Sequence, residues 1–176
     1  KIPFRAVELE QLRQRPEVLD ALALVRALLN PQDRIAWLGV LRAPWCGLSL
    51  ADLHALVSAD DQGLQRRAVP ELLAERQSLL SQEGRISVDR VLRAVEFAQH
   101  LRTTQPAASP GTWLEQVWLR LGAAFCVDAV QRANVNLLWR ALDTLPESEQ
   151  GLLGPALDAA LDKLTALPDP AASADY

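Results

Sequence analysis

The sequence predicts an all-α fold: an irregular bundle of about seven to nine helices with a short orphan strand at its start. Three observations carry that expectation. Apolar residues recur at three- and four-residue steps through most of the chain, as the buried face of a helix requires. Pro, Ser, Asp, Asn and Gly punctuate those runs where helices start and stop. Strand-like alternation is confined to Lys1–Leu9, where Ile2, Phe4 and Ala6 alternate with no second strand to pair with. No repeat of solenoid length, about 30 to 45 residues, falls in register, so the bundle is irregular.

In chain order, Gln11–Arg15 reads as polar connection. The first helix opens at Pro16, with Val18, Leu19, Leu22, Val25, Leu28 and Leu29 on one face. Asn30 closes it or caps the next, and Pro31 suits a first helical position because its missing N–H would find no partner there. Asp33 then lies in the first turn, favoured by the helix dipole. Ile35, Trp37, Leu38 and Leu41 form the second stripe, which stops before Pro44. A tight turn follows at Pro44–Gly47, and Ser49 with Asp52 makes a capping box for a third helix.

Ser58–Gly63 is an acidic turn. Helical pattern resumes at Leu64, with Pro70 starting or kinking it and Leu72, Leu73, Arg76, Leu79 and Leu80 continuing to a stop at Gly84. Ser87 caps the next helix, striped by Val88, Val91, Leu92, Val95 and Leu101. Thr103–Gly111 is a long loop rather than a boundary, because the following stretch of about 65 residues is marginal as an independent core. Thr112 and Glu115 open a helix with Leu114, Val117, Trp118 and Leu121 inward and Gly122 as its break. A longer helix runs from near Cys126 to Leu142 with Val127, Val130, Val135 and Leu138. The last stretch starts at Pro146, breaks at Gly154-Pro155 and continues through Leu157, Leu161 and Leu164. Residues 169–176 form a loose tail.

The run Ile2–Leu53 carries several elements in a recognisable order: Ile2-Pro3-Phe4-Arg5, then Glu17-Val18 with Asp20, Val25-Arg26, Asp33, and Pro44 with Gly47-Leu48-Ser49. In this it resembles the UvrD/RecB-type superfamily 1 DNA helicases, in the region where the second motor domain enters its accessory insertion, called 2B. The likeness is nearest to the AddB- and RecB-like helicase–exonucleases of bacterial DNA repair. The resemblance implies a division into residues 1–15, a remnant of the motor domain, and residues 16–168, a helical accessory domain. It further implies a parent that uses ATP and magnesium to unwind DNA, with duplex or single-stranded DNA and a partner helicase–nuclease subunit as its contacts. The family's Gly-Ile-Gly turn, which approaches duplex DNA, corresponds here to Gly47-Leu48-Ser49. Arg42, Trp45, Gly47, Leu48 and Ser49 are therefore the candidate DNA contacts. An AddB-like inactivated scaffold, and a helical protein–protein interaction domain unrelated to DNA, are the alternative readings.

Residue chemistry sets limits on what this chain does itself. A phosphate-cradling loop ending in Lys-Ser/Thr does not occur, nor an acidic pair following an apolar strand. The two lysines, Lys1 and Lys163, sit beside no carboxylate pair fit for a nuclease metal site. Asp60-Asp61 reads as a solvated turn, and His54 and His100 as partly buried structural histidines. No catalytic residue, metal ligand or cofactor site is therefore expected in this chain. Five tryptophans are many for 176 residues. Trp37, Trp113, Trp118 and Trp139 fall in helical stripes and read as core. Trp45, in the turn, is open to base stacking as well.

With 49% hydrophobic and 23% charged residues the chain can build a real core. A net charge of -4, with only Arg13 and Arg15, Arg66-Arg67 and Arg42 as local cations, argues against strong phosphate binding. No apolar run reaches the roughly 18 residues of a membrane span, and Cys46 and Cys126 lack partners at ligand spacing. A cytoplasmic address and no membrane contact follow. The absence of methionine, together with the orphan strand, predicts a segment of a larger protein.

Overall fold

A computed structural model of the chain describes residues 10–57 and 60–168. Among these lie ten α-helices: α1 (Pro16–Leu29), α2 (Arg34–Arg42), α3 (Leu50–Val57), α4 (Gln62–Gln65), α5 (Val69–Glu75), α6 (Gln82–Thr104), α7 (Pro110–Arg120), α8 (Ala129–Asp143), α9 (Glu149–Leu153) and α10 (Pro155–Asp162). Short 3-10 turns occupy Leu12–Gln14, Gln77–Leu79 and Ala123–Cys126. The all-α class holds for the described residues. Lys1–Leu9, the expected strand, and the tail 169–176 lie outside them.

α1 is the hub: it packs along α2 on one side and against α8 and α7 on another, while α6 links α5 to α7 and α10 closes on α8. One continuous core results, with Trp37, Leu41, Leu114, Trp118, Leu138 and Leu142 fully enclosed. Trp118 and Trp139 meet edge to face, with ring centroids 6.1 Å apart, a favoured aromatic geometry. No helix among the described residues is long and apolar enough to cross a membrane.

Several sequence expectations are corrected by long-range contacts. On α1, Leu19 is 51% exposed while Leu24 is buried, so the inward face is rotated from the predicted stripe. Ile35 on α2 is likewise exposed and Val40 buried. Pro31 precedes α2 rather than opening it: Asp33 is the cap, its side chain accepting from the Ala36 N–H at 2.9 Å. Of the two alternatives for Pro70 it starts a helix, α5, and the stretch from Leu64 to Leu80 divides into α4, α5 and a 3-10 turn, so the helix count among the described residues exceeds the expected range.

Gly84 does not end a helix. It lies in the first turn of α6, which Ser81 caps through the Gly84 N–H, and Ser87 sits within that helix. The reason is Asp52. Its carboxylate accepts from the Ser81 N–H and hydroxyl, both at 2.7 Å, which starts the helix six residues earlier than Ser87 would. At its other end α6 runs through Thr104 and α7 begins at Pro110, so the loop of 103–111 shrinks to residues 105–109. The long helix α8 starts at Ala129, under a capping box made by Asp128 and Gln131. Gly122, with a left-handed φ of 78°, is the break after α7 as expected.

Gln11–Arg15 is not a loose connection. Leu12 is fully buried, and its N–H donates to Leu164 O at 3.1 Å while the Ala166 N–H donates to Glu10 O at 2.9 Å. This antiparallel clasp, bridged at Gln11 and Thr165, sets residues 10–12 beside residues 164–166. A buried polar group locks it from beneath: Glu17 Oε1 accepts from Arg15 Nε (3.0 Å) and Asn134 Nδ2 (2.9 Å), and Asn134 Oδ1 accepts from the Leu167 N–H (2.8 Å).

The same carboxylate acts on its neighbour. Burial, and then the charge of Glu17, push the Asp20 carboxyl above its ordinary value. A carboxyl raised in the folded state contributes stability that is complete below its unfolded pKa, about 3.9, and is lost as pH rises through the folded value. Asp20→Asn is therefore expected to raise the melting temperature at pH 7 and to bring no gain near pH 3. Thermal melts across that range check it, and equal shifts at both ends would show that the charge is not responsible.

Candidate nucleic-acid interface

The turn between α2 and α3 is set by local chemistry. Proline at 44 ends α2, and the Ala43 carbonyl accepts from both the Cys46 N–H (2.9 Å) and the Gly47 N–H (2.8 Å). Gly47 then takes a left-handed φ of 59°, which side chains other than glycine rarely adopt. That reversal returns the chain to α2, where the Leu48 N–H donates to Leu41 O at 2.9 Å. Arg42 Nη1 closes the ring by donating to Leu48 O at 2.8 Å.

The five sequence candidates divide here. Arg42, Gly47 and Ser49 are exposed on the turn, together with Pro44 and Leu50. Trp45 and Leu48 turn inward, 4% and 1% exposed, and both join the core. A ring so enclosed offers no face to a stacking base. The Trp45 carbonyl is held by Arg90 Nη1 at 2.9 Å, which pins the turn to α6. Cys46 is also buried, and burial pushes its thiol up to about 11, so it stays a thiol at neutral pH.

The capping box expected at α3 is half formed. Ser49 Oγ accepts from the Asp52 N–H at 3.0 Å. The Asp52 carboxylate instead faces Ser81, whose N–H and then hydroxyl hold its carboxyl below the ordinary value. Turned to Ser81, this carboxylate does not occupy the α3 N–H groups, although its negative charge remains close by.

Several other arginines are engaged. Arg13 pairs with Asp162 (2.7 Å), Arg15 with Glu10 and Glu17, and Arg67 with Glu75 (2.6 Å) and Glu71. Arg34 holds the carbonyls of Val57, Leu64 and Arg67 at 3.1 to 3.3 Å, and Arg76 holds that of Ala55. Such arginines fix loops rather than offer a phosphate surface.

His54 and His100 are exposed, not partly buried: His54 meets Asp60 at 3.3 Å, and its side chain keeps 59% of its surface. Asp61 caps α4 through the Gly63 N–H. Among the described residues no group of three or more His, Cys, Asp or Glu is placed to hold a metal ion. All five tryptophans are buried.

Among the described residues the geometry thus defines an all-helical unit whose α2–α3 turn exposes Arg42, Gly47 and Ser49. Comparison with family models, with curated proteins and with solved structures finds no match. Sequence reasoning missed the arginine staples and a crevice between Trp37 and Trp113, because both depend on contacts between distant parts of the chain.

Proposed function

We propose that this chain is a non-catalytic helical accessory segment of a UvrD/RecB-like DNA repair helicase or helicase–exonuclease, acting in the cytoplasm. Its role is to contact duplex DNA or a partner subunit and to regulate the motor by its orientation. ATP and magnesium belong to the parent, whose catalytic residues lie elsewhere.

The observation that carries this reading is the clasp of residues 10–12 on residues 164–166. A helical unit inserted into another domain must be entered and left through one seam, and the clasp provides one. The exposed turn of Arg42, Gly47 and Ser49 supports it further. Its N–H groups at the start of α3 and the Arg42 charge suit a phosphate. With Trp45 and Leu48 in the core, the contact we propose is to the backbone of duplex DNA and carries no base stacking.

The purified chain is expected to turn over neither ATP nor linear DNA in magnesium, since it carries no phosphate loop and no cluster of metal-binding carboxylates among its described residues. Coupled ATPase and nuclease assays check this. Magnesium-dependent turnover that follows the protein through purification would contradict the non-catalytic role.

A further inference from the structure

Two apolar side chains that helical periodicity places inward, Leu19 on α1 and Ile35 on α2, stand outside the core, 51% and 83% exposed. They do not lie apart: both line one open groove between α1 and α2. Its floor is made of small residues, with Ala23 and Gly39 half-buried. The two helices come close there, since a Cβ on Gly39 would lie 2.9 Å from that of Ala23. The groove thus offers a projecting aliphatic side chain and, beside it, a low apolar floor that such a side chain can cover.

The charges on the rim select the occupant. Each end carries one cation and one anion: Arg13 with Asp158 where α1 begins, and Arg26 with Asp33 where α1 gives way to α2. Asp158 lies 3.8 Å from Arg13, and Asp33 caps α2. Arg26 is exposed and pairs with no group among the described residues. A partner face of a single sign would meet a like charge at both ends, which is unfavourable. A second copy turned about a two-fold axis exchanges the ends, so that Arg26 of one copy comes toward Asp158 of the other. We propose that this groove is a contact surface between two copies of the chain, related by a two-fold axis, with Ile35 of each over the Ala23 and Gly39 floor of the other. The patch is small, so the pairing is weak and depends on concentration. The inference is independent of any role in DNA contact.

Sedimentation equilibrium from about 10 µM to about 1 mM protein, a range that brackets weak association, tests it. The weight-average mass is expected to climb from 19.3 kDa toward twice that value. Ile35→Glu and Leu19→Glu, both at exposed positions, are each expected to hold the chain monomeric, with the fold intact by circular dichroism. Phe125→Ser removes a ring that is 95% exposed outside the groove and is expected to leave the association unchanged. Arg26→Glu is expected to weaken the pairing severalfold, and Asp158→Lys added to it to restore the pairing. The proposal is overturned by a parent chain that stays monomeric over the whole range, or by association that survives in the folded Ile35→Glu and Leu19→Glu variants. Loss of association in Phe125→Ser, or a double charge variant that pairs no better than Arg26→Glu alone, overturns it as well.

Discussion

Trp37→Ala is expected to lower the melting temperature by roughly 10 °C, from about 3–5 kcal/mol of lost stability at about 2–4 °C per kcal/mol for a domain of this size. Trp37 is 1% exposed and central to the packing of α1 on α2. Removing it forfeits the buried ring, frees the Pro31 carbonyl that Nε1 holds, and widens a crevice that is already there. The neighbourhood cannot collapse readily, because Trp113, Val95 and Leu28 belong to three different helices. A melting temperature within about 2 °C of the parent chain would mean that the ring is dispensable, below the range for any large core truncation.

Gly111→Ala is expected to destabilise by about 3 kcal/mol, at the upper end for overpacking. Gly111 lies in the first turn of α7, where its N–H donates to Asp143 Oδ1 at 2.6 Å. A Cβ there would overlap the Trp139 carbonyl oxygen of α8 and crowd the Asp143 carboxylate. A carbonyl inside a helix cannot step aside as a flexible side chain can, so α7 and α8 must separate. That separation opens the contact that carries Trp118 against Trp139. Denaturant unfolding measures the loss, and a change under about 0.5 kcal/mol, the scale of an ordinary surface substitution, would show the two helices to be loosely joined.

How far the fold was legible follows from which contacts are local. Both ends of α1, the end of α2 before Pro44, the break at Gly122 and the inward face of α7 rest on neighbouring residues, and sequence periodicity and capping place them. Leu114, Val117, Trp118 and Leu121 are all buried as predicted. Where a distant group decides, local reasoning fails. Ser87 is the cap that the local pattern predicts, and the carboxylate of Asp52, contributed by α3, selects Ser81 instead. Leu12 sits in a polar-looking stretch, and its burial depends on residues 164–166.

The candidate site shows the same division. That a glycine turn joins α2 to α3 was legible from Pro44, Gly47 and Ser49. The direction in which Trp45 and Leu48 point was not, because it depends on Arg90 of α6 and Leu41 of α2 drawing the turn onto the core. Arg13, Arg15 and Arg67, local cations in the sequence, sit in ion pairs, and Arg34 and Arg76 hold loop carbonyls, which thins the positive surface further. What remains at the turn is a small site, and the binding it supports is correspondingly weak.

The measurement that tests the proposed DNA contact most directly is a titration of fluorescently labelled duplex with the chain, at about 20 mM and about 150 mM salt. Weak binding is expected at low salt, independent of duplex sequence and largely lost at the higher salt. Phosphate contacts carry the affinity and fall with released counterions. Arg42→Ala should weaken it further and flatten the salt dependence, with the fold intact by circular dichroism. Equal affinity of the parent chain and Arg42→Ala, or binding indifferent to salt, would contradict a DNA contact at this turn.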